Sequence, residues 1–170
     1  MIRQATSKDI PALASTYLAA FKEVEPSEMW TEGQAAELVK FFLRAQADLA
    51  FVAEHNGKIV GGICGLAKPW WDGVHLVQTE IFLDPSAQRK GIGTRLFLHY
   101  LEEAARLYNA TNMEAITFRG LEFPSSWYVE LGFKDKADWK IIFGDVQAVT
   151  RKLKSGADRA ITNQSNLAVE

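Results

Sequence analysis

The segment from Thr79 to Leu101, TEIFLDPSAQRKGIGTRLFLHYL, constrains the chain more than any other. Val77, Thr79, Ile81 and Leu83 alternate with Gln78, Glu80, Phe82 and Asp84, the two-residue period of a strand. Asp84-Pro85 ends it, because proline fixes its own φ, lacks an N–H and restricts its predecessor. Gln88-Arg89-Lys90-Gly91-Ile92-Gly93 follows, and a helical pattern then runs to about Tyr108, with Ile92, Leu96, Tyr100, Ala104 and Leu107 on one flank. A strand, a basic glycine-containing turn and a helix together make an anion site. Glycine lets the backbone come close to a ligand, the first-turn N–H groups lack helical partners, and the helix dipole favours negative charge. Arg89 and Lys90 add cationic side chains. The turn is not a P-loop, since Gly93 is followed directly by Thr94, and the dinucleotide fingerprint fails at Leu96. Spacing alone leaves an exposed basic turn and a pyrophosphate site equally open.

A chain of 170 residues, 48% apolar and 24% charged, suits one soluble domain with a real core. A net charge of −2 gives no reason to expect nucleic acid or an anionic membrane as partner. Cys64 is the single cysteine, so no internal disulfide can form and a reducing cytoplasm is the natural setting. The opening residues MIRQATSKDI hold no long apolar run, hence no signal peptide or spanning helix is expected. His55, His75 and His99 lack ligand spacing, so no metal is expected.

In chain order, Ile2 to Ala5 reads as a strand, and Ile10, Leu13, Ala14, Tyr17, Leu18 and Phe21 mark a helix to about Lys22. A second helix spans about Gln34 to Ala47. Leu49–Glu54 and Lys58–Leu66 read as strands about an Asn56-Gly57 hairpin. Lys68 to Gly73 reads as a loop before the central strand, Val74 to Asp84. After the central helix come a strand over Met113–Phe118, a short helix over Pro124–Leu131, a return to the sheet at Phe133, and a hairpin of Trp139–Phe143 with Val146–Leu153. The expected fold is α/β, a mixed and mostly antiparallel sheet flanked by helices in the order β-α-α-β-β-β-α-β-α-β-β. A single domain over 1–153 would be followed by a polar tail over 154–170.

The segment Glu80-Ile81-Phe82-Leu83-Asp84-Pro85 with Gln88-Arg89-Lys90-Gly91-Ile92-Gly93 resembles the acetyl-CoA signature of the GNAT superfamily of N-acetyltransferases. Trp127-Tyr128-Val129-Glu130-Leu131-Gly132-Phe133 resembles that family's second signature, a tyrosine four residues before Gly-Phe. The resemblance covers roughly Met1 to Leu153 and implies direct transfer of an acetyl group from acetyl-CoA to an amine within a ternary complex, with CoA as product. It implies that Gln88, Arg89, Lys90, Gly91, Ile92, Gly93 and Thr94 hold the pyrophosphate, and that the pantetheine arm pairs with backbone near Phe82 and Leu83. The N–H of Leu83 then becomes the oxyanion donor. A homodimer is common among similar proteins, though no residue here decides it.

An alkylammonium has a pKa of roughly 10 and must lose a proton before its nitrogen can attack. Glu80, on the same strand face as Phe82, is the base this chemistry needs, though it could equally bind or pair with a cation. Tyr128 is the matching acid for the leaving thiolate, against a bland role in the core. The resemblance implies that Glu25, Glu28 and Trp30 in one loop, and Trp70 and Trp71 in another, wall the acceptor site, where charge and cation–π contact would suit a small cationic amine; the bland alternatives are a solvated surface loop for the glutamates and a core lid for the tryptophans. The alternatives are an acceptor that is a protein N-terminus or lysine, or a non-catalytic module that senses acyl-CoA.

Overall fold

The computed structural model describes residues 1–117 and 123–154, in two units, Met1–Phe118 and Arg119–Glu170. In the first unit five strands form one sheet in sequence order: β1 (Ile2–Gln4), β2 (Ala50–His55), β3 (Lys58–Trp70), β4 (Gly73–Leu83) and β5 (Ala110–Met113). β1 to β4 pair antiparallel; β5 joins β4 in parallel after a helical crossover. The architecture is the expected one, a mixed and mostly antiparallel sheet flanked by helices.

Local chemistry accounts for most boundaries. Asn56 (φ 50°) and Gly57 (φ 72°) take left-handed conformations and make the β2–β3 hairpin, as their sequence requires. α1 (Ile10–Val24) buries Leu13, Ala14, Tyr17 and Ala20, and α2 (Glu32–Gln46) buries Ala35, Val39 and Phe42. α2 begins two residues earlier than the pattern suggested because Thr31 and Gln34 form a reciprocal capping box. Both helices share one core with Ala50, Val52, Cys64 and Phe82. The neighbouring Phe51 points to the opposite face, where its ring meets His99 of α3 (Ile92–Tyr108) at 4.8 Å. The sheet is therefore sandwiched between α1 with α2 and α3. At the amino end, the Arg3 guanidinium bonds both Asp9 (2.8 Å) and Glu54 (2.6 Å), which holds the Asp9 carboxyl well below its usual range.

Three expectations are corrected. β3 continues through the predicted loop to Trp70, leaving only Trp71 and Asp72 in the turn before Gly73 (φ 133°). The strand placed at Met113–Phe118 forms at Ala110–Met113, because left-handed Asn109 (φ 50°) ends α3 and turns the chain straight into the sheet; Phe118 lies outside the described residues. In the second unit Phe133 does not rejoin a sheet and the hairpin over 139–153 is not formed: residues 146–154 are helical. Asp145 starts that helix, its Oδ1 accepting from the Ala148 N–H at 2.7 Å, and Val146, Val149 and Leu153 recur at helical spacing. The short helix expected near Pro124 is present as α4 (Ser125–Glu130). The predicted tail, Lys154 apart, lies outside the described residues. Among the described residues no helix is long and apolar enough to cross a membrane.

β5 stays with β4 only briefly. Val74 to Leu76 pair with Ala110 to Met113, the Glu114 N–H bonds Leu76 O at 2.9 Å, and beyond that no described residue of this unit pairs with that edge of β4. His75 fastens the point of separation. Its Nδ1 lies 2.8 Å from Glu114 Oε1 and its Nε2 2.8 Å from Asp72 Oδ1, tying the end of β5 to the β3–β4 turn. The Glu114 bond, with help from Asp72, raises the imidazole pKa against the opposing effect of its burial. A histidine whose folded pKa exceeds the unfolded value of about 6.5 contributes stability fully below that pH, and loses it as pH rises through the folded pKa. The difference in urea midpoint between wild type and His75→Gln is therefore expected to be wide at pH 6 and to narrow towards pH 9. A gap that stays constant across that range would remove the ionic role.

Candidate active site

The alternation read through β4 is interrupted in the structure. Cys64 pairs with Glu80 but Leu66 pairs with Val77, so β4 carries one extra residue opposite Gly65. Gln78 takes up the irregularity with φ 52°, a β-bulge of the kind that re-aims side chains. Its support comes from α3: Thr79 Oγ1 and Tyr100 Oη lie 3.2 Å apart, and burial pushes the Tyr100 phenol up to about 12, so it stays protonated. Glycine is required at 65, where a Cβ would overlap the Tyr100 hydroxyl and lie 2.7 Å from Thr79 Oγ1.

Beyond the bulge the strand presents two different surfaces. Thr79 faces α3, while Glu80 and Phe82 face α1. There Tyr17 is the hub of an aromatic floor, with Phe21 stacked at 4.2 Å, and Trp30 and Phe82 edge-on at 5.2 and 5.1 Å. Tyr17 Oη donates to Glu80 Oε2 at 3.5 Å. Desolvation raises the Glu80 pKa, the Tyr17 bond lowers it, and the charge of Glu28 raises it again. Glu28 is itself positioned by the Trp30 indole, whose Nε1 donates to its Oε2 at 2.7 Å. Glu80, Glu28 and Trp30 thus gather around Tyr17.

The other acceptor residues do not join them. Glu25 turns back onto Ser27, whose N–H it accepts at 3.2 Å. Trp70 and Trp71 occupy the tip of the β3–β4 hairpin, seven positions from Glu80 along an extended strand, or roughly 23 Å. Lys68 Nζ already lies 4.0 Å from the centre of the Trp70 ring.

The backbone of β4 has its own asymmetry. The Asp84 N–H bonds Val60 O at 2.9 Å, which makes that pair a hydrogen-bonded one. Antiparallel pairs alternate, so Gly62–Phe82 is hydrogen-bonded and Gly61–Leu83 is not. The N–H and C=O of Leu83 therefore point away from β3, towards the edge that β5 has left. Gln88 Nε2 reaches that same carbonyl at 3.5 Å. The main chain of Phe82, by contrast, is committed to β3, and its ring is buried against Tyr17.

The turn after β4 is built around Asp84, which accepts from the Ser86 N–H at 2.9 Å and caps a short 3-10 turn, Pro85–Ala87. Lys90 Nζ folds back onto Ser86 O at 2.7 Å, while Arg89 is exposed. Arg89 (φ 57°) and Gly91 (φ 71°) are both left-handed, curling the backbone ahead of α3. Gly91 is the N-cap and offers no side chain, so the first-turn N–H groups of Ile92, Gly93 and Thr94 are left to an external acceptor. Gly93 is held close, since a Cβ there would come 2.8 Å from Leu83 Cδ1. A diphosphate fits this chemistry.

Tyr128 belongs to the second unit. It lies on α4 with its ring 5.2 Å from Trp127 and 5.1 Å from Phe133. Gly132 (φ 96°) turns the chain so that the Phe133 N–H bonds Tyr128 O at 3.0 Å. The Gly-Phe signature thus closes the end of the helix that carries the tyrosine. Sequence reasoning placed Tyr17 only in an apolar helix stripe. The available signal was chemical, since a buried tyrosine hydroxyl needs a partner.

Residues 10–133 match the model of the acetyltransferase (GNAT) family, and the chain belongs to that family. Its fold is also that of a Pyrococcus horikoshii OT3 protein (23% identity, TM-score 0.63, covering 86% of this chain and 92% of that one). It is similar to PaiA N-acetyltransferase from Thermoplasma acidophilum, solved in complex with coenzyme A (20% identity, TM-score 0.62, 79% and 89% covered). A third likeness is to AAC(6′)-Iy, solved with the bisubstrate analogue CoA-S-monomethyl-acetylneamine (19% identity, TM-score 0.59, 85% and 96% covered). No curated protein matches.

The bulge gives a direct test. Gly65→Ala is expected to cost about 1 to 3 kcal/mol by overpacking against Tyr100. In chemical denaturation the double variant with Tyr100→Phe should lose less than the sum of the singles. Strict additivity would mean that Tyr100 does not limit the space at Gly65.

Proposed function

We propose that the protein is an acetyl-CoA-dependent N-acetyltransferase acting on a primary amine of a small cationic acceptor, by direct attack in a ternary complex. The observation that carries this reading is Glu80, a carboxylate whose burial among aromatic rings raises its pKa, placed three residues before a backbone N–H on the open edge of β4. Acetyl-CoA supplies the thioester. The amides from Gln88 to Thr94, with Arg89 and Lys90 beside them, bind its diphosphate, and the open edge at Leu83 receives the amide-bearing arm. Two of the resemblances support this, one to a structure with coenzyme A and one to a structure with a bisubstrate analogue.

An ammonium entering beside Glu28 and Trp30 meets two carboxylates and an indole, which favours a cation. Glu80, directly or through a water, takes one proton and leaves a neutral nitrogen able to attack. The Leu83 N–H faces the oxygen on which charge develops; one such donor is worth about 3 to 4 kcal/mol in acyl transfer. By the resemblance of its signature, Tyr128 is assigned as the acid that protonates the departing thiolate, and the second proton lost by the attacking nitrogen restores the phenol, directly or through solvent.

Calorimetric titration with acetyl-CoA is expected to show binding by wild type and loss by a folded Gly91→Glu variant, which sets bulk and negative charge at the N-cap. Thiol release is then followed over polyamines, aminoglycosides, amino acids and peptides. With the acceptor that turns over, Glu80→Gln should lower kcat by about 10²- to 10⁴-fold, the usual contribution of a general base. Affinity for acetyl-CoA should be unchanged. Full turnover by Glu80→Gln would reject Glu80 as the base.

A further inference from the structure

We propose that Tyr17 is a positioning residue for Glu80: its buried hydroxyl holds Oε2 of the carboxylate and leaves Oε1 as the oxygen that takes the acceptor's proton. The inference rests on the reading of Glu80 as a base and adds a residue that the family signatures do not contain.

The geometry is specific. Tyr17 is 1% exposed, and its ring is fixed on three sides by Phe21, Trp30 and Phe82, so its hydroxyl has little freedom to seek another partner. Burial pushes its own pKa well up, with the charges of Glu80 and Glu28 adding to it, and the phenol therefore remains a donor throughout the working range. The 3.5 Å separation is long, as catalytic hydrogen bonds often are before substrate closes the site. The helix carrying Tyr17 and the strand carrying Glu80 pack in one core, through Tyr17 and Phe82.

The titratable groups facing Glu80 come from three elements: Tyr17 on α1, Glu28 in the connection to α2, and Cys64 on β3, its partner in the strand register. Burial pushes the Cys64 thiol up and keeps it neutral. Tyr17 and Glu28 therefore act on Glu80 in opposite senses. The tyrosine stabilises the charged carboxylate by donating to it, and Glu28 destabilises it by repulsion.

The test does not depend on knowing the acceptor. The full chain, labelled with ¹³C at glutamate carboxyls, is titrated by NMR, with the Glu80 signal assigned by its loss in Glu80→Gln. Tyr17→Phe keeps the ring and its packing but removes the donor, and should raise the Glu80 midpoint by about one unit. Glu28→Gln should lower it. Thermal melts confirm that both variants are folded, and Tyr17→Leu at the same position separates loss of packing from loss of the hydroxyl. With an acceptor in hand, the acid limb of kcat/KM should move with the NMR midpoint. An unmoved Glu80 midpoint in folded Tyr17→Phe overturns the proposal. If that midpoint moves while Glu80→Gln retains full turnover, the contact is real but Glu80 is not the base, and the reading of function fails on its own.

Discussion

The parting of β5 from β4 is the constraint on which the rest of the first unit depends. A strand paired on one side only leaves N–H and C=O groups that want partners, normally a liability. Here the parting begins after Leu76 and is fastened by His75 between Asp72 and Glu114, so the edge opens at a fixed place. From that point to Leu83 the main chain of β4 is half used. An extended ligand with its own amides could complete the pairing there, sharing or replacing the Gln88 contact at Leu83 O.

The bulge at Gln78 determines which side chains accompany that edge. Without the extra residue the strand beyond it would be inverted, and Glu80 would turn towards α3 rather than to the aromatic floor on α1. Gly65, Thr79 and Tyr100 make the bulge affordable by letting the helix approach the irregular pair closely. One local irregularity thus fixes both the direction of a carboxylate and the register of the backbone three residues later. Stability in the sheet and chemistry at its edge are decided by the same few contacts.

Much of this was legible in the sequence. Asn56-Gly57 demands a hairpin, Asp84-Pro85 ends a strand, and the stripes on α1 and α3 are regular enough to name most of their buried faces. The turn at Gln88 to Gly93 announced an uncapped helix start. The bulge was hidden because Gln78 fits the alternation of residue types while its φ breaks the alternation of faces. Residues 139–153 were misread because Gly144-Asp145 looks like a hairpin turn, whereas Asp145 serves as a helix cap. The Tyr17–Glu80 contact joins residues 63 apart in sequence, and only the packing of α1 on the sheet creates it.

The same packing separates the aromatic residues that composition alone would pool. Trp30 and Trp70 look equivalent as acceptor walls, yet Trp30 donates to Glu28 and lies against Tyr17, while Trp70 carries Lys68 over its face at the far end of β4. A ring already covered by the chain's own ammonium offers a second cation repulsion in place of attraction. The acidic and aromatic features that suit an amine therefore collapse onto one cluster, Glu28, Trp30, Tyr17 and Glu80. On the proposed reading, selectivity for a cation and the acidity of Glu80 are then not independent. The charge of Glu28 holds the neighbouring Glu80 carboxylate closer to protonation and, on that reading, would also draw a cation. An arriving ammonium would then screen that repulsion and lower the Glu80 pKa, so that more of the carboxylate is in the ionised form able to take a proton.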